Sequence, residues 1–145
     1  MNQTPNRTLH QLVFALDRGA DALLRREFGI TYSRALALDA LLGRDGMTQH
    51  ALASAVGRTD PAVSVMLTEL TAAGYTSIEV DPGHKRKNVV RLTSMGNELA
   101  RQISALLSEK FHELVTRADV DIATYTQMTD PLCQALDRGA KKGGI

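Results

Sequence analysis

Apolar residues recur at Leu9, Leu12, Val13, Leu16, Ala20, Leu23, Leu24 and Phe28, three and four positions apart. That spacing puts them on one face of a single helix, expected to start at Thr8 and to end at Gly29. Residues 1–7 read as a frayed lead-in. Gly19 costs that helix about 1 kcal/mol relative to alanine and leaves room for a neighbouring helix to approach. A second helix is expected over residues 33–42, with Leu36, Leu38, Leu41 and Leu42 apolar, and Gly43 and Gly46 close it.

Between Thr48 and Thr93 the pattern becomes finer. Thr48 is placed to cap a short helix, 49–56, which turns Leu52, Ala53 and Val56 inward, and Gly57-Arg58-Thr59 makes the turn that follows. The next helix has a sharp start. Asp60 is the expected N-cap, and Pro61 stands at the first helical position, where a missing N–H costs nothing. Val63, Met66, Leu67 and Leu70 form its buried stripe, while Ala62, Ser64, Val65, Thr68 and Glu69 face away. Gly74 suits the left-handed position that ends a helix. Residues 75–80 predict a strand and 89–92 its returning partner. Between them lies Asp81-Pro82-Gly83-His84-Lys85-Arg86-Lys87-Asn88, a turn dipeptide leading into a positive cluster. Two short helices joined by a tight turn and followed by a basic hairpin make the layout of a DNA-reading module.

A long helix opens at Ser94, with Leu99, Ile103, Leu106, Leu107, Phe111 and Leu114 on its apolar face, and fades near Arg117-Ala118. The last helix is expected from Asp119 or Asp121, with Ile122, Tyr125 and Met128 on one side. Leu132, Ala135 and Leu136 keep register beyond Pro131, which predicts a kink or a restart there, not a stop. The string Ala-Leu-Asp-Arg-Gly-Ala occurs at 15–20 and again at 135–140, but the flanks differ and it marks no structural repeat.

The wide apolar faces of the first and last helices change the picture, because a module of this size cannot cover them alone. Leu12, Leu16, Leu23, Leu106, Leu114, Ile122 and Leu136 need partners, and terminal helices interleaved from two copies supply them in a two-fold homodimer. Such a dimer also presents a pair of reading helices to a palindromic site. The expected fold class is mainly α with a small β-hairpin wing: a winged helix-turn-helix with N- and C-terminal dimerisation helices. Residues 1–30 and 94–138 form the dimerisation region, 31–93 the DNA-binding lobe and 139–145 a flexible tail.

Composition narrows the function. The 145 residues carry a formal net charge of only +1, so affinity for nucleic acid must come from where charge is placed. The single cysteine, Cys133, excludes an internal disulfide and is expected to be a buried, inert thiol. His10, His50, His84 and His112 show no metal-ligand spacing, so neither a metal nor another cofactor is expected, and no catalytic constellation points to an enzyme. No apolar run reaches the roughly 18 residues of a membrane span. The polar N-terminus lacks a signal-peptide core, which leaves a cytoplasmic protein with no membrane partner as the expectation.

On the reading helix Thr59, Asp60, Ser64 and Thr68 are the polar candidates for bases or phosphates, and Ala62 and Val65 can touch thymine methyl groups. Arg58 in the turn is placed to hold a phosphate. In the wing, Lys85, Arg86 and Lys87 can follow the backbone or enter a minor groove, and His84 adds a titratable group to the same loop.

The order of these pieces resembles the MarR family of winged-helix transcription regulators over residues 9–136. Leu92-Thr93-Ser94-Met95-Gly96 is similar to the family's Leu-Thr-x-x-Gly, and Asp81-Pro82-x-x-x-Arg86 to its wing. Asp60-Pro61-Ala62-Val63-Ser64 and Leu70-x-x-x-Gly74 are similar to its recognition helix. The resemblance implies dimeric binding to palindromic double-stranded DNA, usually as a repressor. It also implies release by small, often aromatic or phenolic, effectors held between the dimer helices and the DNA lobe. Tyr32, Arg34 and His10 lie near that junction and are the candidate ligand contacts. Three positions depart from the pattern: His84 stands where the family commonly has Asp, and Val65 and Ile78 stand where it often has basic residues. With Glu69 and the low net charge, they support an alternative: a MarR-like winged-helix protein acting through protein contacts, with weak or lost DNA binding.

Overall fold

The first helix begins before the apolar stripe does. In the computed structural model, which describes residues 4–80, 83 and 88–140, α1 spans Pro5–Phe28. Pro5 occupies the first turn, where its fixed φ favours a helix and its missing N–H leaves nothing unsatisfied. Residues 5–7 are therefore helical, not the frayed lead-in that the absence of apolar residues suggested. Gly29, at φ 65°, closes α1 with its N–H on the Arg25 carbonyl.

Thr31 accepts the Arg34 N–H and starts α2 (Tyr32–Leu41) one residue ahead of the expected position. The Tyr32 N–H also donates to Asp21 Oδ1 at 2.9 Å, which pins α2 to α1. After β1 (Met47–Thr48), Thr48 caps α3 (Gln49–Val56) by accepting the Ala51 N–H at 3.1 Å. Then follow α4 (Asp60–Ala72), β2 (Thr76–Val80), β3 (Asn88–Leu92), α5 (Ser94–Arg117) and α6 (Ile122–Ala140).

The hairpin expected from sequence gains a third strand. β1 pairs antiparallel with β3, and the sheet order is β1-β3-β2. Val90, fully buried, is the register residue, standing opposite Met47 on one side and Ile78 on the other. β1 has only two residues, too few to show an alternation of polar and apolar positions.

The chain divides into two compact units at Ala105 and Leu106. In the first, Leu24, Leu38, Leu41, Leu52, Val63, Leu67, Val90 and Ile103 are the large fully buried side chains. They come from α1 to α5 and from β3, so the sheet and the two short helices share one core.

In the second unit, Asp121 accepts the Thr124 N–H at 2.8 Å and caps α6. Asp121, not Asp119, is thus the start signal. The Phe111 and Tyr125 rings meet with centroids 5.3 Å apart. Helix α6 continues through Pro131 to Ala140, so no restart occurs there, and Gly139 is helical. The rest of the expected tail, residues 141–145, lies outside the described residues. Cys133 is exposed, against the buried thiol expected. Met128, Leu132 and Leu136 are exposed as well, and the burial expected of that thiol assumed a cover that one chain does not supply. Among the described residues no helix is long and apolar enough to cross a membrane.

Candidate nucleic-acid interface

The turn between α3 and α4 is set by Gly57, which adopts φ 65° and lets the Arg58 N–H return to the Ala53 carbonyl at 3.0 Å. Thr59, not Asp60, is the N-cap of α4, its hydroxyl accepting the Ala62 N–H at 3.3 Å. Asp60 and Pro61 are consequently the first residues of the helix itself. Released from capping, the Asp60 carboxylate lies 3.1 Å from His50 Nδ1 and ties the start of α4 to α3.

Along α4 the two faces separate as expected. Val63, Met66, Leu67 and Leu70 are buried. Ala62, Ser64, Val65, Thr68 and Glu69 are exposed. The Thr68 hydroxyl donates to the Ser64 carbonyl at 3.0 Å. Glu69 forms an ion pair with Arg34 of α2. Arg58 Nη2 donates to Ser33 Oγ at 2.8 Å. Of the residues singled out from sequence, Arg58, Thr59, Asp60, Ala62, Ser64, Val65 and Thr68 thus gather on one turn-and-helix surface. No Lys or Arg occurs between Asp60 and Ala72; among the described residues, Arg58 in the turn and Arg34, paired with Glu69, are cations at this surface.

His84, Lys85, Arg86 and Lys87, with Asp81 and Pro82, lie outside the described residues. At the base of the hairpin, Arg91 Nη1 bonds Glu79 Oε2 at 2.9 Å across the two strands, and its Nε is 3.8 Å from Asp45. Sequence reasoning missed Arg91, since its two partners lie in separate segments, 12 and 46 positions before it.

An open cleft of about 320 Å³ lies between the end of α2, the sheet and the start of α5, lined among others by Leu41, Arg44, Asp45, Arg91, Thr93 and Asn97. The three residues proposed from sequence as ligand contacts are not among the residues that line this cleft. Tyr32 is half-buried; burial raises its phenol above the ordinary range, and the Asp17 carboxylate beside it adds to the effect. His10 is exposed on α1, about 10 Å of helix rise from Asp17. Arg34 is engaged by Glu69. Among the described residues no group of three His, Cys, Asp or Glu could hold a metal ion.

Residues 28–87 match the sequence profile of the MarR family. MepR of Staphylococcus aureus, solved in a complex with DNA, has a TM-score of 0.77 at 26% identity, over 94% of this chain and 99% of MepR. The same regulator in its DNA-binding conformation gives 0.78 at 26% identity, over 94% and 98% of the two chains. Apo MarR of E. coli gives 0.79 over 94% and 98% of the two chains; at 20% identity it speaks for the fold alone. No curated protein matches the sequence.

Proposed function

We propose, from the premise that this chain belongs to the MarR family of winged-helix transcription regulators, that it binds palindromic double-stranded DNA as a homodimer and represses transcription until a small effector releases it. The observation that carries the reading is the exposed outer face of α4, set beside a winged sheet as in a helix-turn-helix module. MepR, which shares this architecture over nearly its whole length, was solved on DNA.

The dimer rests on uncovered apolar surface. On α1, Leu9, Leu12, Val13 and Phe14 are exposed, and on α6, Met128, Leu132 and Leu136. Faces of this size on a lone chain mark an interaction site, and a second copy is the economical cover. In this reading, residues 1–30 and 94–138 serve dimerisation and 31–93 form the DNA-binding lobe. Arg58, Thr59, Asp60, Ala62, Ser64, Val65 and Thr68 face the operator, joined by His84, Lys85, Arg86 and Lys87 of the wing. A small aromatic or phenolic effector would act near Tyr32, with Arg34 and His10 as further candidate contacts. Tyr32 opens α2, which also carries Ser33 and Arg34, the partners of Arg58 and Glu69.

Selection of bound sequences from random duplex DNA, repeated at two salt concentrations, tests the proposal. Two half-sites about one helical turn apart are the expected outcome. One unpaired half-site would remove the dimeric mode, and no enriched duplex at low salt would leave the alternative of a protein-contact module, for which the absence of Lys and Arg from α4 speaks.

A further inference from the structure

The side chains that α4 offers to a groove are mostly engaged within the chain. Asp60 is held by His50, Glu69 by Arg34, and the Thr68 hydroxyl has donated to the Ser64 carbonyl. Thr59 is occupied as the cap, and Thr71 Oγ1 meets Thr76 Oγ1 at 2.9 Å. Residues 60–72 contain no Arg, Lys, Asn, Gln or His. The helix therefore cannot make the bidentate hydrogen bonds that identify guanine or adenine, and both of its carboxylates, which could accept from cytosine, are paired.

What remains outward is the Ser64 hydroxyl, which can serve any base, and an apolar pair, Ala62 and Val65. Val65 is 64% exposed in the middle of α4, and Ala62 is exposed one turn before it. The rise between them is about 4.5 Å, comparable to the spacing of about 3.4 Å between successive bases. In the major groove the apolar feature of a base edge is the thymine C5 methyl group. A basic side chain at position 65 would read an acceptor; an isopropyl group fits a methyl.

We propose that Val65, supported by Ala62, is a specificity-determining residue that reads thymine by its methyl group, so that methyl contacts, and not bidentate hydrogen bonds, carry the base recognition made by α4. This rests on the DNA-binding reading above. It goes further in naming the base and the chemical group.

The test uses the full chain and a duplex selected as above. Each thymine of a half-site is replaced in turn by uracil, which keeps base pairing and removes only the methyl. Affinity should fall about fourfold at one or two positions per half-site, the worth of one buried methyl-sized group. In Val65→Ala the uracil penalty at the facing position should shrink below about twofold. Val65 is exposed and alanine is the better helix former, so the variant keeps its fold, which its helical circular dichroism will report. Unchanged affinity on full uracil replacement would overturn the inference, as would a uracil penalty equally large in Val65→Ala. Either result leaves duplex binding itself standing. A chain that selects no duplex at low salt fails at the earlier step, and the inference fails with it.

Discussion

A Cβ atom placed on Gly96 would lie 1.9 Å from the carbonyl oxygen of Tyr75. The same carbonyl accepts the Thr93 N–H at 3.1 Å. The Thr93 hydroxyl donates to the Gly74 carbonyl at 2.6 Å and accepts the Gly96 N–H at 3.1 Å. The connection leaving α4 is thus clamped to the first turn of α5 by one threonine and one glycine. Leu92-Thr93-Ser94-Met95-Gly96 is a packing motif: threonine caps the helix, and glycine lets the backbone of another segment approach.

Gly96→Ala should therefore be among the most damaging small substitutions in the chain. The obstacle is main-chain oxygen, which cannot swing aside as a side chain would. We expect a loss at or above the upper end of the range of about 1–3 kcal/mol typical of overpacking, read from the midpoint of urea unfolding. Thr93→Val, which keeps shape but loses both hydroxyl bonds, should cost about 1–2 kcal/mol. A Gly96→Ala midpoint equal to that of the parent would show that the clamp yields.

How much of this is legible in the sequence depends on the kind of signal. The buried stripe Val63, Met66, Leu67 and Leu70 repeats within one helix, and so do the faces of α1 and α5. Periodicity reports such surfaces directly. Thr59 and Asp60 are both good capping residues, and proline is tolerated in either of the first two helical positions, so the sequence could not separate the two registers. Glu69 meets a residue 35 positions away, and the Arg58 partner is 25 positions away. Neither leaves a local trace. Exposure of Cys133 depended on what covers α6, a property of the surroundings and not of the helix.

Acid should weaken the fold through two carboxylates that serve the backbone. The Tyr32 N–H holds Asp21 below its ordinary value of 3.8, and the Arg25 side chain reinforces this. The Thr124 N–H and hydroxyl do the same for Asp121. A depressed folded-state value means that the stabilisation is present above the ordinary value and is lost as pH falls through the lowered one. Stability should decline below about pH 4, and Asp21→Asn should flatten that limb in unfolding measurements between pH 2 and 6. Tyr32 acts at the other end. Its phenol is raised above 10.0, first by burial and then by Asp17, so its contribution persists through neutral pH and is lost as pH rises through the raised value. Tyr32→Phe should remove that alkaline decline.

Dimerisation can be tested without disturbing the chain's own core. Leu132 is 63% exposed on α6, so Leu132→Glu adds charge where one chain buries nothing. Sedimentation velocity should show dimer dissociation at least tenfold easier than in the parent, with helical content unchanged. An identical concentration dependence would place the contact between copies elsewhere.

The wing, more than the recognition helix, should set affinity, because α4 carries no cation and Lys85, Arg86 and Lys87 are consecutive in the sequence between β2 and β3. Each phosphate neutralised by such a residue releases counterions and steepens the salt dependence by about 0.9 in a plot of log affinity against log salt. Replacing all three by alanine should make that slope shallower by about 2.7 if each holds a phosphate. Arg58→Ala removes one guanidinium that Ser33 orients at the start of α4, and should make it shallower by about 0.9. Val65→Ala should leave the slope alone, since a methyl contact releases no ions. The three variants therefore separate charge from base recognition in one titration series. A triple wing variant with the parent's slope would mean that the phosphates are held elsewhere, and that the basic loop is a solvated surface.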